Sequence, residues 1–364
     1  MQNNQTTAAT PVGVLMINIG TPASPSVPDV RHYLREFLSD PRVLSMPAVI
    51  RWLFLNLYIL PFRPRRSAGA YAKIWLEEGS PLLVHGLALR DSVEAELGDA
   101  FHVELAMRYL NPDIGSALER MQREGIRRIV VIPLFPQYSE AATGSALARV
   151  KEEAARLGSP FELCSLVNFY AEPSFIEAQA DTIRPYLSEQ IYDHVLFSYH
   201  GLPESQIRSI PGCLTSENCC DPPAGGNERC YRAQCFATTA ALVQTLDLEP
   251  GSYSSSFQSR LWSKWITPHT DKILPELRER GVNDLLVSCP AFTTDCLETL
   301  EEVGIRLRDQ WQAIGGHSLG LAPCVNASPI FTRAVSDWAR AQGQSHDPAE
   351  NLPEVGFVTT ESGT

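Results

Sequence analysis

The sequence predicts an α/β protein built on parallel sheets, from three observations. Short apolar runs recur along the chain, each closed by glycine, proline or polar residues. Helical patterns fall between successive runs. The length, 364 residues, exceeds one ordinary core and suits two units of about 150 residues each.

Taken in order, the runs lie at 12–20 (VGVLMINIG), 103–109, 128–135, 163–169, 194–200 (HVLFSYH), 253–258 and 285–292 (LLVSCPAF), with a weaker one at 319–325. Continuous β-rich runs of this kind read as parallel strands buried on both faces. A helical pattern at 114–124 precedes the third run, 172–189 the fifth, 231–246 the sixth and 273–280 the seventh. That alternation marks βαβ units. Two four-stranded sheets flanked by helices suit the length, divided near residues 165–175. In open α/β sheets, ligands lie beyond the carboxyl ends of the strands. The rule singles out Asn18, Gly20, Thr21, Arg108, Tyr109, Gln137, Tyr138, His200, Gly201, Gln258, Ser259, Phe292 and Asp295.

Composition narrows the function. With a net charge of −12, a nucleic-acid partner is not expected. The N-terminus is polar without an apolar or Arg-rich leader, which predicts a cytoplasmic protein with reduced cysteines. No phosphate-cradling G-x-x-x-x-G-K-[ST] or G-x-G-x-x-G occurs, which disfavours an NTPase or a dinucleotide enzyme. The segment 47–62 (PAVIRWLFLNLYILPF) is apolar but interrupted by Arg51 and Asn56. It fits either a buried helix or an exposed lip that touches a hydrophobic ligand or a membrane surface.

Three constellations can carry chemistry. His200 ends a strand before a glycine turn, where imidazole can take a proton, ligate a metal, or simply be a satisfied structural residue. Asp295, Glu298 and Glu302 follow the seventh run at i, i+3 and i+7. An α-helix capped by Thr294 or Asp295 would put them on one face, as a solvated edge or as a ladder for protons and hard cations. Five of the nine cysteines fall at 213, 219, 220, 230 and 235, spaced C-x5-C-C-x9-C-x4-C. This is not the C-x2-C pairing of zinc ribbons. The intervening 221–226 (DPPAGG) is loop-like, and such an insert needs a staple, so a zinc ion or a 2Fe–2S cluster on four of the five is expected, ahead of free thiols or disulfides. Cys164, Cys289, Cys296 and Cys324 lie in or beside apolar runs and read as core.

Read together, several segments resemble the ferrochelatases, which insert ferrous iron into a porphyrin. They are INIGTP at 17–22, RHYLREFLSDPRV at 31–43, SPL at 80–82, MRYLNP at 107–112, FPQYSEAATGSA at 135–146, FSYHGLPES at 197–205, SSFQSR at 255–260, WITPHTD at 265–271 and CPAFTTDCLETLEE at 289–302. The resemblance implies two Rossmann-like, chelatase-type domains with a porphyrin cleft between them. Their expected bounds are 10–168, carrying the lip at 47–62, and 169–342, carrying the insert at 213–235, followed by a loose tail at 343–364. It implies a catalytic pair of His200 and Glu298, either of which could hold the substrate iron, with Glu302 continuing the acidic path. It places Arg108, Tyr109, Tyr138, Trp265, Ser80 and Asn18 at the porphyrin. Some bacterial members resemble this chain in an internal cysteine set for a 2Fe–2S cluster, for which Cys213, Cys220, Cys230 and Cys235 are expected, with Cys219 as the substitute. Peripheral contact with the inner membrane and with neighbouring heme-pathway enzymes is a further implication. The alternatives are a chelatase for another metal or tetrapyrrole, and an iron–sulfur redox or sensor protein on an α/β scaffold.

Overall fold

The computed structural model describes residues 10–158, 161–210, 213–214, 219–220, 229–260, 264–344 and 357–360. The proline- and glycine-rich stretch 221–226 and most of the tail read as loose lie outside the described residues. The strands are β1 (Val12–Gly20), β2 (Phe101–Tyr109), β3 (Arg128–Pro133), β4 (Glu162–Leu166), β5 (His194–His200), β6 (Tyr253–Gln258), β7 (Asp284–Ser288), β8 (Ser318–Leu321) and β9 (Phe357–Thr360). They form two sheets, ordered β2-β1-β3-β4-β9 and β6-β5-β7-β8. The expected four parallel strands are present in each, and β9 adds an antiparallel edge to the first by pairing with β4.

Both sheets start in the middle and wind outward in both directions, so each has a point where the strand order reverses. In the first it lies between β1 and β3, in the second between β5 and β7. Crevices at such points are where α/β sheets bind ligands. β5 runs three residues beyond its last pair with β7, Phe197↔Ser288, while staying paired with β6 as far as His200↔Gln258. His200 therefore stands at the lip of that crevice.

Apolar runs long enough to be buried on both faces demand helices on both sides. One continuous core joins the two sheets, from Val14, Met16, Leu105 and Val130 through Phe169, Phe175 and Phe331 to Val195, Phe197 and Phe257. The outer face of the first sheet packs under helices Ile114–Arg123 and Ser145–Arg156. That of the second packs under Thr270–Glu279 and Glu298–Leu307. The last helix, Pro329–Gln344, crosses back to the first sheet. Its Trp338 ring lies 4.9 Å from Phe169, and Arg128 donates to the Gln342 carbonyl at 2.6 Å.

The segment 47–62 is not a buried helix; most of its apolar side chains are exposed. It folds as an α-helix (Ala48–Phe54), a π-helix (Leu55–Ile59) and the start of a longer helix (Leu60–Ile74). Leu55, Ile59 and Leu60 bury against Leu38 and Leu44, while Trp52, Leu57 and Phe62 are 61%, 66% and 72% exposed. Apolar residues all round one helix cannot all face a single small core, so the surplus is left outside.

Candidate active site

Backbone geometry shapes the crevice first. Gly20 closes β1 at φ 118°, where a Cβ would strike the Tyr109 carbonyl oxygen at 2.2 Å; only glycine fits. Gly201, after His200, packs so tightly that a Cβ would meet the Gln258 carbonyl oxygen at 2.7 Å. His200 is half-buried, its ring 6.2 Å from Phe292 and 6.3 Å from Trp265. Its Nδ1 lies 2.7 Å from the Gly201 carbonyl oxygen. A carbonyl can only accept, so Nδ1 carries the proton and the neutral ring keeps its lone pair on Nε2.

Gln258 ties His200 to the acidic helix. It pairs with His200 across β5 and β6, accepts from Ser198 at 2.6 Å, and donates to the Glu298 carbonyl at 2.8 Å. Beyond it, Ser259 adopts φ 62° and aims both its amide and its hydroxyl at the Glu302 carboxylate, at 2.8 and 2.7 Å. Glu302 also borders an open cleft of 490 Å³ lined by Arg260, Asp271, Arg306 and Gln310. Burial pushes the Glu302 carboxyl above the usual range, against the hydrogen bonds from Ser259 and the charge of Arg306.

Two expectations about this segment change. It is a π-helix from Glu298 to Leu307, not an α-helix capped at Thr294 or Asp295. The i→i+5 closure widens each turn, and such segments gather at functional sites. Nor does Asp295 head a ladder of carboxylates. It is buried and consumed locally, exchanging hydrogen bonds with Asn326 at 2.9 and 2.8 Å and accepting from Thr299 at 3.1 Å.

Around Glu298 stand groups that the sequence did not single out. Burial raises the phenols of Tyr33 and Tyr71 well above the ordinary range, and the charge of Glu298 adds to both shifts. Leu297 packs against the cluster of Val30, Ala68 and Tyr71, and Lys73 pairs with Glu301 at 3.1 Å, joining helix Leu60–Ile74 to the π-helix. The remaining expected residues sit as follows. Asn18 is buried and reaches Thr294 Oγ1 at 3.4 Å. Ser80 bonds Thr21 at 2.7 Å. The Tyr138 amide donates to Gln234 at 2.7 Å and its hydroxyl to Glu140 at 2.6 Å. Arg108 and the deeply buried Tyr109 both donate to Asp40, at 2.7 and 2.9 Å, and Ser145 joins them at 2.5 Å. Burial opposes ionisation of Asp40, but Ser145, the Arg42 amide, Tyr109 and Arg108 hold its carboxyl below the usual range.

A family model described as Ferrochelatase matches residues 11–342. The chain belongs to the ferrochelatase family. A ferrochelatase of Coxiella burnetii (strain CbuK_Q154) is 48% identical over 90% of this chain and 93% of its own. One from Bdellovibrio bacteriovorus is 42% identical over 90% and 98%, and one from Legionella pneumophila (strain Lens) 42% over 91% and 99%. Among solved structures, SirB from Bacillus subtilis with Fe3+ shares the fold, with a TM-score of 0.53 at 11% identity over 92% of this chain and 96% of that one. As a ferrochelatase, the chain is an enzyme of metal insertion, with iron and a porphyrin as substrates. Among the described residues, no helix is long and apolar enough to cross a membrane.

The five clustered cysteines of this ferrochelatase are all buried. Among the described residues, no three His, Cys, Asp or Glu side chains converge as a site for one metal ion. Four of the thiols are neighbours. Cys219 and Cys220 place their sulfurs 3.9 Å apart, and Cys230 hydrogen-bonds with both Cys220 and Cys213. Arg232 donates to the Cys220 sulfur at 3.0 Å and the Leu214 amide to that of Cys219 at 3.3 Å. Cys235 instead lies inside helix Tyr231–Leu246, fully buried against Tyr231 and Tyr199.

Proposed function

We propose that this ferrochelatase metallates a dicarboxylic porphyrin of the protoporphyrin type in the crevice beside His200. The observation that carries this reading is the Nδ1 hydrogen bond to Gly201, which leaves Nε2 as the basic nitrogen at the strand end. His200 Nε2 then accepts a pyrrole proton, while Glu298 and Glu302 conduct the dication or the released protons between crevice and cleft. Two N–H protons leave for each ferrous ion that enters, so charge balances. Tyr138 and Trp265 flank the ring. Arg108 and Tyr109, already engaged with Asp40, brace the crevice floor beneath it. The test is anaerobic mixing of the protein, porphyrin and ferrous iron, followed at the Soret band. Conversion that survives in His200→Ala refutes the assignment.

The lip is read as the edge that receives the porphyrin and rests on an anionic bilayer. Between residues 42 and 73 there are five arginines, one lysine and no acidic residue, in a chain whose net charge is −12. A basic segment with exposed aromatic residues suits that surface.

The cysteine set is read as the seat of a 2Fe–2S cluster. The proposed ligands are Cys213, Cys219, Cys220 and Cys230, with Cys219 in place of Cys235. Four buried neighbouring thiols with two N–H donors on their sulfurs suit an all-sulfur centre, which supplies a redox-active staple when bound. A binuclear centre takes its thiolates in pairs, one pair per iron, so four sulfurs need not converge on a point. Iron and sulfide analysis after anaerobic purification tests this reading; stoichiometric zinc without iron refutes it.

A further inference from the structure

The mechanism does not use the first turn of helix Tyr231–Leu246, yet that turn touches both chemical centres. Its N-cap is Cys230. The next residue, Tyr231, is buried and donates its hydroxyl to the His200 carbonyl at 2.8 Å. The one after, Arg232, donates to the Cys220 sulfur at 3.0 Å and to the Thr267 carbonyl at 3.2 Å. Thr267 lies two residues past Trp265, whose ring faces His200.

The His200–Gly201 peptide shows why this matters. Its N–H donates to the Gln258 carbonyl at 2.9 Å, continuing the β5–β6 ladder. Its C=O points the other way, where β7 has already ended. Tyr231 supplies the donor that the missing strand would have provided. The peptide plane is thus pinned at both edges, and the Gly201 carbonyl that holds Nδ1 hangs from it. A turn of the plane would swing both the ring and its acceptor.

We propose that Tyr231 is a positioning residue for His200, and that the first turn of its helix transmits the state of the Cys213, Cys219, Cys220 and Cys230 set to the crevice. The inference rests on the reading of His200 as proton acceptor.

Tyr231→Phe tests it in the full-length protein. Porphyrin metallation should fall about tenfold or more in kcat, the scale of a small misplacement, while the porphyrin KM stays within about twofold. Amide deuterium exchange should quicken in the peptide spanning 197–203 and stay unchanged in the strands of the first sheet. Cys220→Ser should reproduce the local exchange signature in metal-free protein. The double variant should be no worse than the worse single one, as expected of residues acting through one contact. A wild-type kcat with unchanged exchange in Tyr231→Phe overturns the positioning role; additive losses overturn the link to the cysteines. If Tyr231→Phe does not fold, Arg232→Gln, which keeps the phenol, decides by the same exchange signature: faster exchange at 197–203 supports the link, and none overturns it. An active His200→Ala would refute the parent reading, whereas an inactive one beside an unaffected Tyr231→Phe refutes this inference alone.

Discussion

At His200 a single hydrogen bond fixes which ring nitrogen carries the proton. Replacing His200 by Ala should leave the fold intact and lower metallation at least about 10²-fold, the scale of a lost proton-transfer group; steady-state kinetics beside a thermal melt checks both halves. The two glutamates should part company. Glu298 lies among buried phenols, whereas Glu302 is held by Ser259 at the border of the 490 Å³ cleft. Glu298→Gln should therefore cut kcat far more than Glu302→Gln. Equal small losses would reduce this helix face to a solvated edge.

At the scale of elements, Asp40 is the clearest example of one residue governing a segment. It ends helix Val27–Ser39, immediately before the lip, and gathers Arg108, Tyr109 and Ser145. Asp40→Asn removes the charge facing a partly buried guanidinium and should cost about 2 kcal/mol, the scale of a hydrogen bond to a charged group. Urea titration measures the loss, and a raised porphyrin KM would show the lip loosening with it. The strands were readable because parallel sheets demand continuous apolar runs, and those runs are local facts of the sequence. β7 nevertheless stops at Ser288, ahead of Pro290, which cannot donate to a ladder. The π-helix was not readable, since i, i+3 and i+4 spacings of Glu298, Glu301 and Glu302 fit either closure. Asp40 and Tyr231 were missed for a different reason. Their partners lie far along the chain, 69 residues away at Tyr109 and 31 at His200. That Cys235 lies within helix Tyr231–Leu246 while Cys219 stands beside Cys220 was likewise visible only in the folded positions.

For the whole molecule, charge and burial pull on stability in separable ways. His194, buried at the start of β5, has its pKa lowered to about 4 from 6.5 by burial and by Arg280. Above pH 6.5 the imidazole is neutral folded or unfolded and contributes nothing to the pH dependence. Below it the unfolded chain takes up a proton that the fold refuses, so stability should fall from about pH 6.5 to 4. Melts across that range, compared with His194→Gln, should show a shallower slope in the variant. The lip should bring the protein down with anionic vesicles at low salt, and Trp52→Glu with Phe62→Glu should abolish sedimentation. Finally, the returning helix Pro329–Gln344 carries a consequence for synthesis. The first sheet is nearly finished once β4 has left the ribosome, yet one of its faces waits for Phe331, Val335 and Trp338. More than 160 further residues must emerge before that face is covered. Such distant closure is slow, and the exposed surface is prone to association in the meantime. Nascent chains arrested before residue 329 should therefore bind chaperones and resist release, whereas chains arrested after 344 and clear of the exit tunnel should not.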